Sequence, residues 1–246
     1  MIPLVAVAHG SRDPRSATTV GELLAVVRDR RPGLAVKGAF LDLSTPRLLD
    51  VLTALHREGH REVVVAPLLL GRAFHARVDL PALLEEAHER LPMLRTSVAD
   101  VLGPDPGLEA AALRRLAEVG VRPGAPGVGV VLAATGSSHA PANARVRAIA
   151  ERWAHTQGWS GVRAAFASAA DPDVPSAVAA LRARGARRIA VASYFLAPGL
   201  LPDRVRAQAG TAAVVAEPLG AATEVADVVL DRYDLASQDL GAARSA

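Results

Sequence analysis

The chain has 246 residues, half of them apolar and only 3% aromatic, with a formal net charge of +3 at neutral pH. That length and apolar content suit two compact domains of about 120 residues each and exclude a disordered chain. The absence of cysteine removes disulfides, iron–sulfur clusters and thiolate chemistry together, and arginines scattered among acids argue against a nucleic-acid partner.

The first element is a near-continuous apolar strand, Ile2 to Ala8, that runs into His9-Gly10-Ser11-Arg12-Asp13-Pro14. Such a strand followed by a Gly/Ser turn is the pattern of a buried parallel strand. No basic, apolar leader precedes it, and no run of 18 apolar residues follows, so a cytoplasmic protein without a membrane span is expected. A helix is expected over about Arg15 to Arg30, closed by Pro32-Gly33, then a strand over Leu34 to Leu41. Ser44-Thr45-Pro46 reads as a hydroxyl cap and first-turn proline for a helix ending at Gly59. A strand over Glu62 to Leu70, a helix over Asp79 to Arg90, a strand over Met93 to Leu102 and a helix after Pro106 complete the first half. Regular strand–helix alternation implies a parallel sheet covered on both faces. The stretch from Val121 to Gly127, with two prolines and two glycines, reads as a linker between domains 1–121 and 127–246.

The same unit then begins again. Val128 to Ala134 runs into Thr135-Gly136-Ser137 where the first half has His9-Gly10-Ser11, an offset of 126. Phe40 and Phe166, Gly59 and Gly185, and Leu68-Leu69-Leu70 and Tyr194-Phe195-Leu196 keep that offset. Later the register shifts, because Leu102-Gly103 matches Leu219-Gly220. The expected fold class is therefore α/β, with two similar domains, each a central parallel four-stranded sheet flanked by helices. The residues after Tyr233 show no clear apolar stripe, and fraying is expected there.

Ligands in open α/β sheets sit at the C-terminal ends of the strands. His9 follows the first strand, Asp42 the second and His75 the third, a nitrogen and oxygen set suited to Fe(II), Co(II), Ni(II) or Zn(II). The same groups suit acid–base work near neutral pH. The second half offers Thr135, Ser168 and Leu201 at those places, a poor set for a divalent ion, so the fold outlived the ligands. Bland readings stand beside these: His9 as a strand-end cap, Asp42 as a helix cap. His139, four residues past Thr135 at a helix head, either touches a ligand or is solvated; His56, His60, His88 and His155 read as solvated. Arg12, Arg72 and Arg77 flank the histidines and suit an anionic substrate, although arginine is also the commonest charged residue here. No Gly-x-Gly-x-x-Gly, Walker or Gly-x-Ser-x-Gly motif is present.

Three runs carry a family resemblance: Ala8-His9-Gly10-Ser11-Arg12-Asp13-Pro14; Phe40-Leu41-Asp42 with Pro46; and Pro67-Leu68-Leu69-Leu70-Gly71-Arg72-Ala73-Phe74-His75-Ala76-Arg77-Val78-Asp79-Leu80-Pro81. Leu102-Gly103-Pro104 and Phe195-Leu196-Ala197-Pro198-Gly199 add to it, so that nearly the whole chain is covered. In these the chain resembles the class II tetrapyrrole chelatases, specifically the sirohydrochlorin chelatases, in a long, internally duplicated form. The resemblance implies two chelatase-like domains facing a cleft for the macrocycle, with His9 and His75 as catalytic and metal-associated residues. Asp42 stands where the family has glutamate. The resemblance further implies a tetrapyrrole partner whose carboxylates give Arg12, Arg72, Arg77 and Arg145 a role, with Ser11, Ser137 and His139 as cleft residues. The resemblance also implies that the metal is a substrate, Fe(II) or Co(II) with Ni(II) admitted, and that no organic cofactor is required. A chain with its own cleft can work as a monomer. The alternatives are a protein that binds or delivers metal or tetrapyrrole without insertion, and a generic α/β enzyme of carbohydrate or phosphate compounds.

Overall fold

A computed structural model describes residues 1–71, 79–211 and 213–242, excepting the side chains of 241 and 242. The first sheet is built from β1 (Leu4–Ala8), β2 (Val36–Phe40), β3 (Glu62–Pro67) and β4 (Arg95–Val98), all parallel, in the order β2-β1-β3-β4. The helices between them are α1 (Pro14–Arg30), α2 (Leu48–Arg57) and α3 (Leu80–Arg90). After α4 (Pro106–Glu118) the pattern recurs: β5 (Val128–Ala134), α5 (Ala140–Thr156), β6 (Gly161–Phe166), α6 (Val174–Ala183), β7 (Arg188–Ser193), α7 (Leu200–Ala209) and β8 (Ala213–Val215). The second sheet is parallel in the order β6-β5-β7-β8, and α8 (Thr223–Ala242) closes the chain. The expected fold class is the observed one.

Burial explains the strand sequences. Every residue of β1, β3 and β5 is buried, so these strands do not alternate polar and apolar residues and, apart from Glu62 at the start of β3, read as continuous apolar runs. On one face of the first sheet, Val5, Val7, Val63 and Val65 meet Leu48, Leu52 and Leu55 of α2. In the second, Val131, Ile189 and Val191 meet Val174, Ala177 and Leu181 of α6. On α1, Val20, Leu23, Leu24 and Val27 are buried, the spacing of a single apolar stripe.

The compact units cross the boundary between the sequence halves 1–121 and 127–246. One comprises Met1–Leu108 with Ala221–Ala246; the other is Glu109–Gly220. The cause lies in two helices. Within the second unit, the Glu109 carboxylate on α4 accepts the Trp153 indole N–H at 3.0 Å and pairs with Arg152. Within the first, α8 packs on α1, β3 and β4. There Arg232 donates to the Val101 and Leu102 carbonyls, both at 3.1 Å, and to the Asp105 carboxylate at 2.9 Å. Tyr233 donates its hydroxyl to the Ile2 carbonyl at 2.8 Å. The frayed tail expected after Tyr233 is corrected here: α8 runs on to Ala242, with Ala236 and Leu240 buried. Tyr233, Ala236 and Leu240 keep helical steps of three and four, but the alanine among them and the exposed Leu235 blur the stripe in the sequence.

Candidate metal and tetrapyrrole site

In a sheet ordered β2-β1-β3-β4, the connections leaving β1 and β3 run in opposite directions, and the crevice for a ligand opens at their C-terminal ends. His9 follows β1 directly and is partly buried, its Nδ1 3.0 Å from the Gly10 carbonyl. Asp42 follows β2, and its backbone N–H donates to the His9 carbonyl at 2.9 Å. These two residues therefore meet at one end of the sheet. His75, Arg72 and Arg77 lie outside the described residues.

Close backbone packing holds the two loops together. Gly10 has φ +95°, and a Cβ there would stand 1.7 Å from the Asp42 carbonyl oxygen, so only glycine fits. Leu43 is left-handed at φ 59°, and Thr45-Pro46 is a cis peptide. The Ser44 hydroxyl satisfies both backbone groups of Ser11: it accepts from the N–H at 3.0 Å and donates to the carbonyl at 2.9 Å. This corrects the sequence reading of Ser44-Thr45-Pro46 as a helix cap with a first-turn proline. The helix starts at Leu48, Arg47 is its N-cap, and Ser44 serves the neighbouring loop instead. Asp42 does not cap that helix either. Its carboxylate pairs with Arg47 at 3.1 Å, and it is held below the ordinary aspartate range by the Leu43 backbone amide, with Arg47 and His9 adding to the effect. It is thus an ionised carboxylate at neutral pH. Arg12 is exposed on the same loop as His9.

The second unit repeats this backbone in detail. Gly136 has φ +84° with its Cβ position 1.9 Å from the Ser168 carbonyl oxygen, Ala169 is left-handed at φ 56°, and Asp171-Pro172 is cis. Ser168 N–H donates to the Thr135 carbonyl at 2.9 Å. The side chains differ. Here the buried Asn143 amide clamps the Ser137 N–H at 2.9 Å and carbonyl at 2.7 Å. Leu201, at the place of His75, packs against the unit's apolar core. His139 is the exposed N-cap of α5 and makes no capping bond with its side chain, and Arg145 is exposed on the same helix.

Among the described residues, no three His, Asp or Glu side chains gather in a set able to hold a metal ion, and no helix is long and apolar enough to cross a membrane. A groove of about 640 Å³ between α3 and β4, walled by Leu80, Leu84, His88 and Val98 among others, includes neither His9 nor Asp42. Arg47 is the site residue that sequence reasoning missed. The signal the sequence held was the offset of 126, which sets Arg47 opposite Asp173; that the position is an N-cap is visible only in the fold.

A duplicated parallel α/β protein with His9 and Asp42 at the strand ends of one unit, where the other has Thr135 and Ser168, is the class that fold and site define. The CbiX family model matches residues 3–119 and again 129–236. This chain belongs to the CbiX family, and each half carries one copy of the family's unit. Among its curated relatives is a sirohydrochlorin cobaltochelatase of Priestia megaterium, 27% identical over 206 residues, which cover 81% of this chain and 65% of that protein. A sirohydrochlorin ferrochelatase of the same organism is 24% identical, over 81% of this chain and 75% of its own length. The chain thus spans just under two thirds of the first relative. Among solved structures, SirB from Bacillus subtilis with Fe3+ superimposes with a TM-score of 0.84 over 98% of both chains at 23% identity, a match of fold.

Proposed function

We propose that this protein is a sirohydrochlorin chelatase that inserts a divalent metal, Fe(II) in preference to Co(II), into the macrocycle for sirohaem or cobalamin synthesis. The observation that carries the reading is the pairing of His9 with an ionised Asp42 at the strand ends of one unit, while Thr135 and Ser168 fill the same backbone in the other. Insertion requires stripping water from the ion and removing two pyrrolic protons. If Nδ1 of His9 donates to the Gly10 carbonyl, Nε2 is the basic nitrogen that takes a proton or an ion. Asp42 supplies the hard oxygen that replaces a water ligand. His75 is proposed as the second histidine. Arg12, Arg72, Arg77 and Arg145 are proposed to meet the substrate's carboxylates, with Ser11, Ser137 and His139 lining it. The protein is proposed to act in the cytoplasm, as a monomer.

The test is an anaerobic insertion assay with sirohydrochlorin and Fe(II), Co(II) or Ni(II), followed by absorbance. The wild type is expected to convert the spectrum, and His9→Ala and His75→Ala are expected to lose insertion while keeping their far-UV circular dichroism. Undiminished rates in both variants refute the assignment. Macrocycle binding without conversion by the wild type instead favours a delivery protein, a reading supported by the ion pair that occupies Asp42.

A further inference from the structure

The residue that opens α2 has an N-cap's backbone but a side chain unsuited to the position. Arg47 is the N-cap, extended at φ −73° and ψ 152°, yet its side chain makes no bond to the first amides of the helix. N-caps favour Asp, Asn, Ser and Thr, whose oxygen accepts such a bond. A cation there also faces the positive end of the helix dipole. The duplicate half follows the rule. Asp173, 126 residues on, also follows a cis proline, caps α6 and accepts from the Ser176 N–H at 2.9 Å. That half has Ser168 in place of Asp42, so the misfit arginine occurs only where there is a carboxylate for it to meet.

The geometry supplies the reason. Arg47 Nη1 lies 3.1 Å from Asp42 Oδ1 and 3.3 Å from the Leu41 carbonyl oxygen. Its backbone is pinned by a parallel bridge to Phe40, whose N–H donates to the Pro46 carbonyl at 3.0 Å. The pinned backbone thus roots the arginine within reach of the carboxylate, and the pair forms with both side chains about half exposed to solvent. Local rules broken at one place usually mark a functional demand.

We propose that Arg47 guards Asp42 and sets the affinity of this site for a divalent ion, an inference that rests on the site reading above. An arriving ion must displace a guanidinium from its oxygen ligand and then tolerate that charge nearby. The site consequently holds an ion loosely enough to give it up, as a protein that hands metal to a macrocycle must.

The test uses the full-length protein without tetrapyrrole, titrated with Co(II) in competition with a fluorescent chelator. Arg47→Met is expected to bind about five-fold tighter than wild type, the scale of an exposed ion pair. Arg47→Lys keeps the charge and is expected to stay within about two-fold of wild type. In an Asp42→Asn background the gain from Arg47→Met is expected to vanish, and in the parent it is expected to shrink as salt is raised. A structural role for Arg47 would not produce tighter binding, coupling to Asp42 or salt dependence. If Asp42→Asn weakens binding but Arg47→Met does not tighten it, the guard is overturned and the site stands. If Asp42→Asn binds like wild type, Asp42 is not a ligand and the site reading itself falls.

Discussion

Gly10 and Gly136 provide a matched pair of perturbations. An alanine Cβ at Gly10 would sit 1.7 Å from the Asp42 carbonyl oxygen, and one at Gly136 would sit 1.9 Å from that of Ser168. Relaxing the first to a carbon–oxygen contact of about 3.3 Å requires the loops to part by about 1.6 Å. That movement breaks the 2.9 Å bond from Asp42 N–H to the His9 carbonyl, a loss of about 1 kcal/mol. The positive φ adds about 1–2 kcal/mol for any L-residue. Each substitution is therefore expected to cost about 2–3 kcal/mol in its own unit, roughly 5–15 °C in melting temperature for a unit of that size. Trp153 and Trp159 are the only tryptophans and both lie in the Glu109–Gly220 unit, so indole fluorescence reports that unit alone. Gly136→Ala should lower the midpoint seen by fluorescence, and Gly10→Ala the midpoint seen by circular dichroism. Only Gly10→Ala should also weaken Co(II) binding, because only that pair of loops carries His9 and Asp42. A Gly10→Ala protein that melts within about 1 °C of wild type refutes the steric argument. Equal loss of Co(II) binding in Gly136→Ala refutes the assignment of the site to one unit.

Three further outcomes follow from bonds already described. Asn143→Ala strands the N–H and carbonyl of Ser137 and is expected to cost about 2–3 kcal/mol in urea unfolding followed by tryptophan fluorescence. Arg232→Met leaves two carbonyls without their donor and Asp105 with only the Gly107 N–H; a loss of about 2–4 kcal/mol is expected, less than additive with Asp105→Asn. Hydrogen bonding from Arg31 holds the Asp234 pKa below its ordinary value of about 4, so its contribution to stability is present above that pH and lost as pH falls below it. Asp234→Asn should therefore flatten the acid limb of a plot of urea midpoint against pH between 7 and 2.5.

The sheet was legible because buried parallel strands carry unbroken apolar runs, and the duplication because a constant offset joins Gly10 to Gly136 and Phe40 to Phe166. His9 could be placed at a ligand-facing strand end for the same reason. The course of α4 and α8 could not be read. Helical periodicity says that a face is buried but not what buries it, and Arg232 finds Asp105 across more than a hundred residues of intervening chain. The sequence reading also treated Ser44 as a cap, since a hydroxyl before a proline usually is one. What separates it from that role is the left-handed Leu43, which turns the loop back toward Ser11, and nothing in a leucine announces a positive φ.

The two units show what a loop needs when it carries ligands and what it needs when it does not. Ser11 and Ser137 occupy the same turn and expose the same two backbone groups to be satisfied. In the second unit the clamp is local: Asn143 reaches back six residues from the helix that the turn itself begins. In the first unit the clamp is Ser44, 33 residues away on the β2–α2 loop, and position 17, the counterpart of Asn143, is alanine. The counterpart of Ser44 is Ala170, so each half keeps one clamp and lacks the other. A local clamp stiffens one turn. A clamp between loops also fixes the separation of what they carry, here His9 on one and Asp42 on the other. The same division appears at the helix starts, where Asp173 serves its own helix and Arg47 serves the carboxylate. In both cases the half with the histidine and carboxylate gives up the locally favourable arrangement for one that holds the two loops in register.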